Sequence, residues 1–387
     1  MLMGVPLMLS LAAATSPITK IFSDWSNETL LVATFVVAAP LTGILAAIAA
    51  TDGRVVTPAR GSTAEPQPRR LVAACCVLYL AGAVVLAMQF AQVGGAPLLS
   101  ANIDQARFTP VSTGLFQLLT DGLPLAMLIA TWARVARPAM FSPLQRRVLE
   151  LIIASVPCII ALGGGRITVL LPILAACVVA ARYITPAWAR RLMIVMPLVI
   201  VAFTSAVFLA RHEQGPSRKT SHAILFNDSD QSRKSILAST YAGLSITFGE
   251  QLRVVSELQN ARVRTPPFTT SVYLTHRFNP RALSAGTVAS VYTGGWQASG
   301  YAGPLLLDFG LLPALCFGFA LGAVAHLGYR RFARGGSITV IWVYAYLAAL
   351  IAMAFYDNIV LNYFYPLFDV AVLIALSRLL IVRTRPA

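Results

Sequence analysis

Three arginines, Arg107, Arg166 and Arg211, stand at the edges of apolar runs in a chain that otherwise avoids charge. A guanidinium is planar, stays charged at any relevant pH and matches a phosphate with two parallel hydrogen bonds. Arg107 closes the stretch GGAPLLSANIDQARF, in which Asp104 lies three residues earlier, the spacing that makes two side chains neighbours on a helical turn. Arg166 follows Gly163, Gly164 and Gly165, where bare backbone can approach a ligand closely. Arg211 ends an apolar run and is followed by His212. Charge inside a lipid-facing segment is costly, so three guanidiniums at one depth point to a phosphate or pyrophosphate carried on a lipid.

A second group of reactive side chains lies in HRFNPRALSAGTVASVYTGGWQASGYAGPLLLDFG. It brings His276, Arg277 and Arg281 together with Tyr292, Trp296 and Tyr301, spaced by glycines. Aromatic faces with a polar edge suit stacking on sugar rings and hydrogen bonding to hydroxyls. Of the four histidines, His276 is best placed to exchange a proton near neutral pH, with Glu250 as the reserve base. Asp228-Ser229-Asp230 is read as a helix cap rather than a metal site. The five cysteines show no CxxC spacing and lie in apolar runs, so they read as small buried hydrophobes, and no metal or cofactor is expected. Asp121, Asp308 and Asp369 lie in or near apolar runs, where acids suggest proton coupling; they are read first as helix-end acids paired with arginine.

Composition says what must position these groups. Apolar residues make up 57 % of the chain and charged residues 12 %, and the mean hydropathy is +0.72. Soluble domains carry roughly 25 % charged residues, so the solvent here is lipid. The net charge of +15 would suggest nucleic acid in a soluble protein, but arginines crowding the cytoplasmic loops of a membrane protein account for it. No nucleic-acid partner is expected.

A helix needs about 20 mostly apolar residues to cross a bilayer. Ten candidate spans follow, near 2–17, 29–50, 71–93, 113–133, 148–162, 167–183, 192–211, 304–327, 338–356 and 364–382. The first could be a signal peptide, but it lacks a positive leading region and is read as a span. Every second loop is basic. Arg54, Arg60, Arg69 and Arg70 begin the set, followed by Arg134, Arg137, Arg146 and Arg147. Arg182, Arg190 and Arg191, then Arg330, Arg331 and Arg334, and finally Arg383 and Arg385 complete it. Ten spans put all of them on one side, the cytoplasmic one, with both termini.

The expected architecture is an all-α, polytopic membrane protein of the cytoplasmic (inner) membrane. Residues 1–387 form a single integral domain, and residues 212–303 form one long extracytoplasmic loop between spans. Inside that loop Leu237, Tyr241, Leu244, Phe248, Leu252 and Val255 recur at spacings of three and four, the signature of an amphipathic helix. Asp104, Arg107, Arg166 and Arg211 then share the outer face with the loop.

PLLSANIDQARF resembles the outer-loop signature of the O-antigen polymerase (Wzy-type) oligosaccharide repeat unit polymerases. GGGRITVLLPIL resembles their glycine-arginine turn into a span, and SVYTGGWQASGYAGPLLLDFGLLPALCFGFALG resembles their re-entry from the loop into a span. The pieces occur in family order over about a third of the chain. The resemblance implies a GT-C-like glycosyltransferase that moves a glycan from one undecaprenyl pyrophosphate to an incoming lipid-linked repeat unit, without nucleotide sugar or metal. The family's outer-face arginines map to Arg107, Arg166 and Arg211, and His276, read above as the proton acceptor, completes the catalytic set. Asp104, Arg277, Tyr292, Trp296 and Tyr301 become substrate-binding residues. The implied partners are the lipid-linked oligosaccharide, membrane lipid, and a chain-length regulator and flippase of the same pathway. An O-antigen ligase and a lipid-linked oligosaccharide flippase or transporter are the alternatives.

Overall fold

The computed structural model describes residues 27–51, 66–100, 114–163, 166–184, 305–306, 309–335, 337–353 and 364–380. These are almost wholly helical. In chain order they form α1 (Asn27–Ala50), α2 (Pro68–Gln92), α3 (Gly122–Ala136), α4 (Pro143–Ala161), α5 (Arg166–Tyr183), α6 (Leu311–Ala333), α7 (Ile338–Met353) and α8 (Phe364–Leu380). Short 3-10 turns cover Pro97–Leu99, Gly114–Asp121 and Pro138–Met140. Eight of the ten expected spans therefore overlap helices, six of them with both ends within five residues; α3 starts nine residues later than expected and α6 is shifted by six to seven. The segments near 2–17 and 192–211 lie outside the described residues, as does the long loop with its amphipathic pattern.

Three helical stretches, Pro68–Gln92, Leu118–Ala136 and Leu311–Ala333, are long and apolar enough to cross a membrane among the described residues. The middle one joins the end of a 3-10 turn to α3. Shorter apolar helices occupy Thr34–Ala50, Val169–Tyr183 and Ile338–Met353.

The surface of α2 makes the case for lipid. Its packed face holds Leu71, Cys75 and Val85, all at most 4 % exposed. The opposite face holds Val77, Leu80, Val84 and Met88, spaced by three and four residues and each at least half exposed. A helix that is apolar all round has no water-facing side, the pattern of a membrane span. All five cysteines are free, as expected. Burial corrects one part of that reading, since Cys158 and Cys316 sit on such outward faces rather than in the core.

Local signals set the helix ends. Ser142 and Gln145 form a reciprocal capping box at the start of α4, with Pro143 at the first helical position. At the end of α2, Gly94 has φ +82°. Its N–H reaches the Ala91 carbonyl at 3.3 Å, and the Gly95 N–H reaches Phe90 at 2.8 Å. These two bonds satisfy carbonyls the helix would otherwise leave open.

The helices gather into two compact units. In the first, α1 and α6 cross at glycines, where a Cβ on Gly43 would run into the Phe319 carbonyl and one on Gly322 into the Pro40 carbonyl. The second holds α2 to α5 with most of α7 and α8. There a Cβ on Gly122 would sit 2.6 Å from the Leu78 carbonyl, so α2 and α3 touch backbone to backbone. Close crossings at small residues are how helices gain contact in lipid, where hydrophobic driving force between them is absent.

Candidate functional site

Of the arginines expected to hold phosphate, the described residues include Arg166, the first residue of α5. Asp104, Arg107, Arg211, His276, Arg277, Tyr292, Trp296 and Tyr301 lie outside the described residues. Their approaches are partly described. After the Gly94-Gly95 turn, the 3-10 turn Pro97–Leu99 folds back, and the Leu98 N–H donates to the Leu162 carbonyl at 2.9 Å. Leu162 follows the last residue of α4 and begins the glycine turn that leads to Arg166. Two segments that the sequence assigned to one outer face are thus tied together by a backbone hydrogen bond.

A different polar cluster lies within the second unit. Asp369 of α8 is 2 % exposed. Its Oδ2 accepts a short hydrogen bond from the Tyr346 hydroxyl of α7. Asp121, at the head of α3, lies within electrostatic reach of both. Among the described residues the partner of Asp369 is this tyrosine and not an arginine. Arginines of this unit stand at helix ends. Arg378, on the same helix, is nine residues on from Asp369, about 13 Å along the axis.

The depth of the cluster follows from the α2–α3 crossing. Gly122, next to Asp121, touches the backbone of Leu78, which lies ten residues from the start of α2 and fourteen from its end. At 1.5 Å per residue those are about 15 and 21 Å. Asp121 therefore sits near mid-length of the longest described helix, far from either end.

From Asp369 the polar side chains continue toward the end where Arg134 and Arg182 stand. Trp342, one turn before Tyr346 on α7, is fully buried and meets Trp132 edge-on at 5.5 Å between ring centroids. Trp132 Nε1 donates to the Tyr183 hydroxyl at 3.2 Å. At the start of α7, Thr339 and the buried Ser377 of α8 share a hydrogen bond of 2.5 Å. The Arg182 guanidinium covers the Phe332 ring at 4.9 Å, and Arg134 pairs with Glu150 at 2.7 Å. The sequence reading overlooked Thr339, Trp342, Tyr346 and Ser377. The available signal was that residues 339, 342 and 346 are spaced by three and four, which puts them on one helical face.

No protein-family model, curated protein or solved structure matches the chain.

Proposed function

We propose that this chain is a membrane-embedded glycosyltransferase that polymerises lipid-linked oligosaccharide repeat units at the outer face of the cytoplasmic membrane. Besides the three family-like motifs, one observation supports the reading. The hydrogen bond from Leu98 to Leu162 joins the segment that runs on to Asp104 and Arg107 with the turn that ends at Arg166. A pyrophosphate-linked sugar needs cations from separate segments to converge on it, and this bond ties two of those segments at their roots.

In this reading the acceptor hydroxyl oxygen forms a bond to the sugar's anomeric carbon as the bond from that carbon to phosphate breaks. Undecaprenyl pyrophosphate leaves with the electron pair. Arg107, Arg166 and Arg211 stabilise the charge that builds on the leaving oxygen, and His276 takes the hydroxyl proton. Asp104 orients Arg107 until phosphate arrives. Tyr292, Trp296 and Tyr301 stack on the sugars, and Arg277 adds a donor.

The glycan ladder of cells lacking the protein tests the proposal. Surface glycans reduced to single repeat units support polymerisation. Polymer left on its lipid carrier and missing from the final acceptor would mean a ligase. Repeat units trapped on the inner leaflet would mean a transporter.

A further inference from the structure

Polar side chains of the second unit line up along α7 and α8 as a seam of two hydrogen-bonded pairs with Trp342 between them, which the transferase reading does not use. On α7, Thr339, Trp342 and Tyr346 stand at positions i, i+3 and i+7, one face of a helix. On α8, Asp369 and Ser377 are eight residues apart. The pairing is antiparallel: Thr339 meets Ser377 at one level and Tyr346 meets Asp369 at the other. The two levels are seven residues apart on α7, roughly 10 Å.

Between and at those levels sit two unmet hydrogen-bonding atoms. Trp342 is fully buried, and among the described residues its Nε1 donor has no acceptor. Asp369 is 2 % exposed, and among the described residues its Oδ1 has no donor. Buried polar atoms are almost always satisfied. An orphan donor and an orphan acceptor on one seam mark a place with room for hydrogen-bonding capacity beyond these two pairs. Trp342 reports this independently of the acids.

The carboxyl geometry selects the ligand. Tyr346 donates to Oδ2, so that oxygen serves as an acceptor. Oδ1 is left as the atom that can carry hydrogen. A lone carboxylate inside an apolar bundle is expensive, and Asp121 nearby supplies a second negative group rather than a counter-cation. Sodium would need several oxygen ligands, whereas a proton needs one. The Thr339–Ser377 level lies near Arg334 and Arg378, at the end read as cytoplasmic from the arginine pattern.

We propose that Asp369 is a proton-carrying site in the helix bundle, reached from the arginine-bearing end along the face that holds Thr339–Ser377, Trp342 and Tyr346. On release the O–H bond of Asp369 breaks as one forms on a water molecule, which carries the proton away. The electron pair stays on Asp369, whose carboxylate keeps the hydrogen bond from the Tyr346 hydroxyl.

Infrared spectroscopy of the full-length protein in lipid nanodiscs tests this at neutral pH, independently of any polymerase assay. The carboxylic-acid C=O band of a buried, protonated side chain should be present in the wild type. It should vanish in Asp369→Asn, persist in Asp369→Glu and shift in Tyr346→Phe. After a switch to heavy water, the band's isotope shift reports how fast the proton exchanges. Trp342→Phe and the double change Thr339→Val, Ser377→Ala should slow it several-fold. A wild-type spectrum identical to that of Asp369→Asn would overturn the site. Exchange unaltered in both seam variants would overturn the route, and a band abolished by sodium alone would make this a cation site instead.

Discussion

The Leu98 N–H donates to the Leu162 carbonyl across 2.9 Å, joining the loop after α2 to the end of α4. Leu162 is the first residue past α4, where a helix leaves its last carbonyls without internal partners. The bond therefore satisfies a helix end while holding the root of the Asp104–Arg107 segment beside the turn to Arg166. Leu98→Pro removes the donor, a loss of about 0.5–1.5 kcal/mol for the hydrogen bond, and also disfavours the helical backbone of Pro97 before it. Shorter polymer at normal membrane abundance is the expected phenotype in a glycan-ladder assay.

Gly94 starts that loop with φ +82°, and a Cβ there would meet nothing within 4 Å. The cost of Gly94→Ala is therefore conformational, about 1–2 kcal/mol for an L-residue in the left-handed region. Gly94→Asn, which tolerates that region better, should be milder. Thermal unfolding in detergent ranks the variants, and equal melting temperatures for all three would contradict the turn described here.

Bidentate geometry matters more than charge if Arg166 holds a phosphate. Arg166→Lys should then lose most polymer length while the protein still inserts, and Arg107→Ala should abolish polymer. Asp104→Asn should only weaken it, because the arginine survives but is less well oriented. Immunoblots of membrane fractions control for abundance. Normal ladders from Arg166→Lys would return that residue to interfacial anchoring.

At the α2–α3 crossing, Gly122→Ala places a methyl 2.6 Å from the Leu78 carbonyl, which is backbone and cannot swing aside. Overpacking of this kind costs about 1–3 kcal/mol. Glu150→Gln, by contrast, removes one partner of an ion pair whose side chains are 39 % and 50 % exposed. Such pairs are worth about 0–1 kcal/mol, so this variant should unfold within a degree or two of wild type.

Topology is testable with cysteines introduced into a cysteine-free background. An impermeant thiol reagent applied outside should label Ser229→Cys and spare Ser62→Cys. The reverse pattern would invert the membrane orientation and with it the transferase proposal.

What the sequence by itself determined was the helices. Hydropathy at a length of about 20 residues marks a span whatever its neighbours are, so α1 to α8 were legible, all but α3 and α6 with both ends within five residues. Capping was legible for the same reason: Ser142 with Gln145 and Gly94 with Gly95 act through bonds to backbone a few positions away. The arginine alternation was equally local. Only the tertiary structure decided what meets across helices. Asp369 was visible as the lone acid of its run, but no spacing along the chain says that its partner is Tyr346, twenty-three residues earlier. In an apolar bundle most faces are alike in hydropathy, so composition does not choose which of them touch. That choice is made by close-packing at glycines such as Gly82 and Gly122 and by a few polar pairs. The Leu98–Leu162 bond belongs to the same class, because a backbone N–H carries no sequence label for its acceptor.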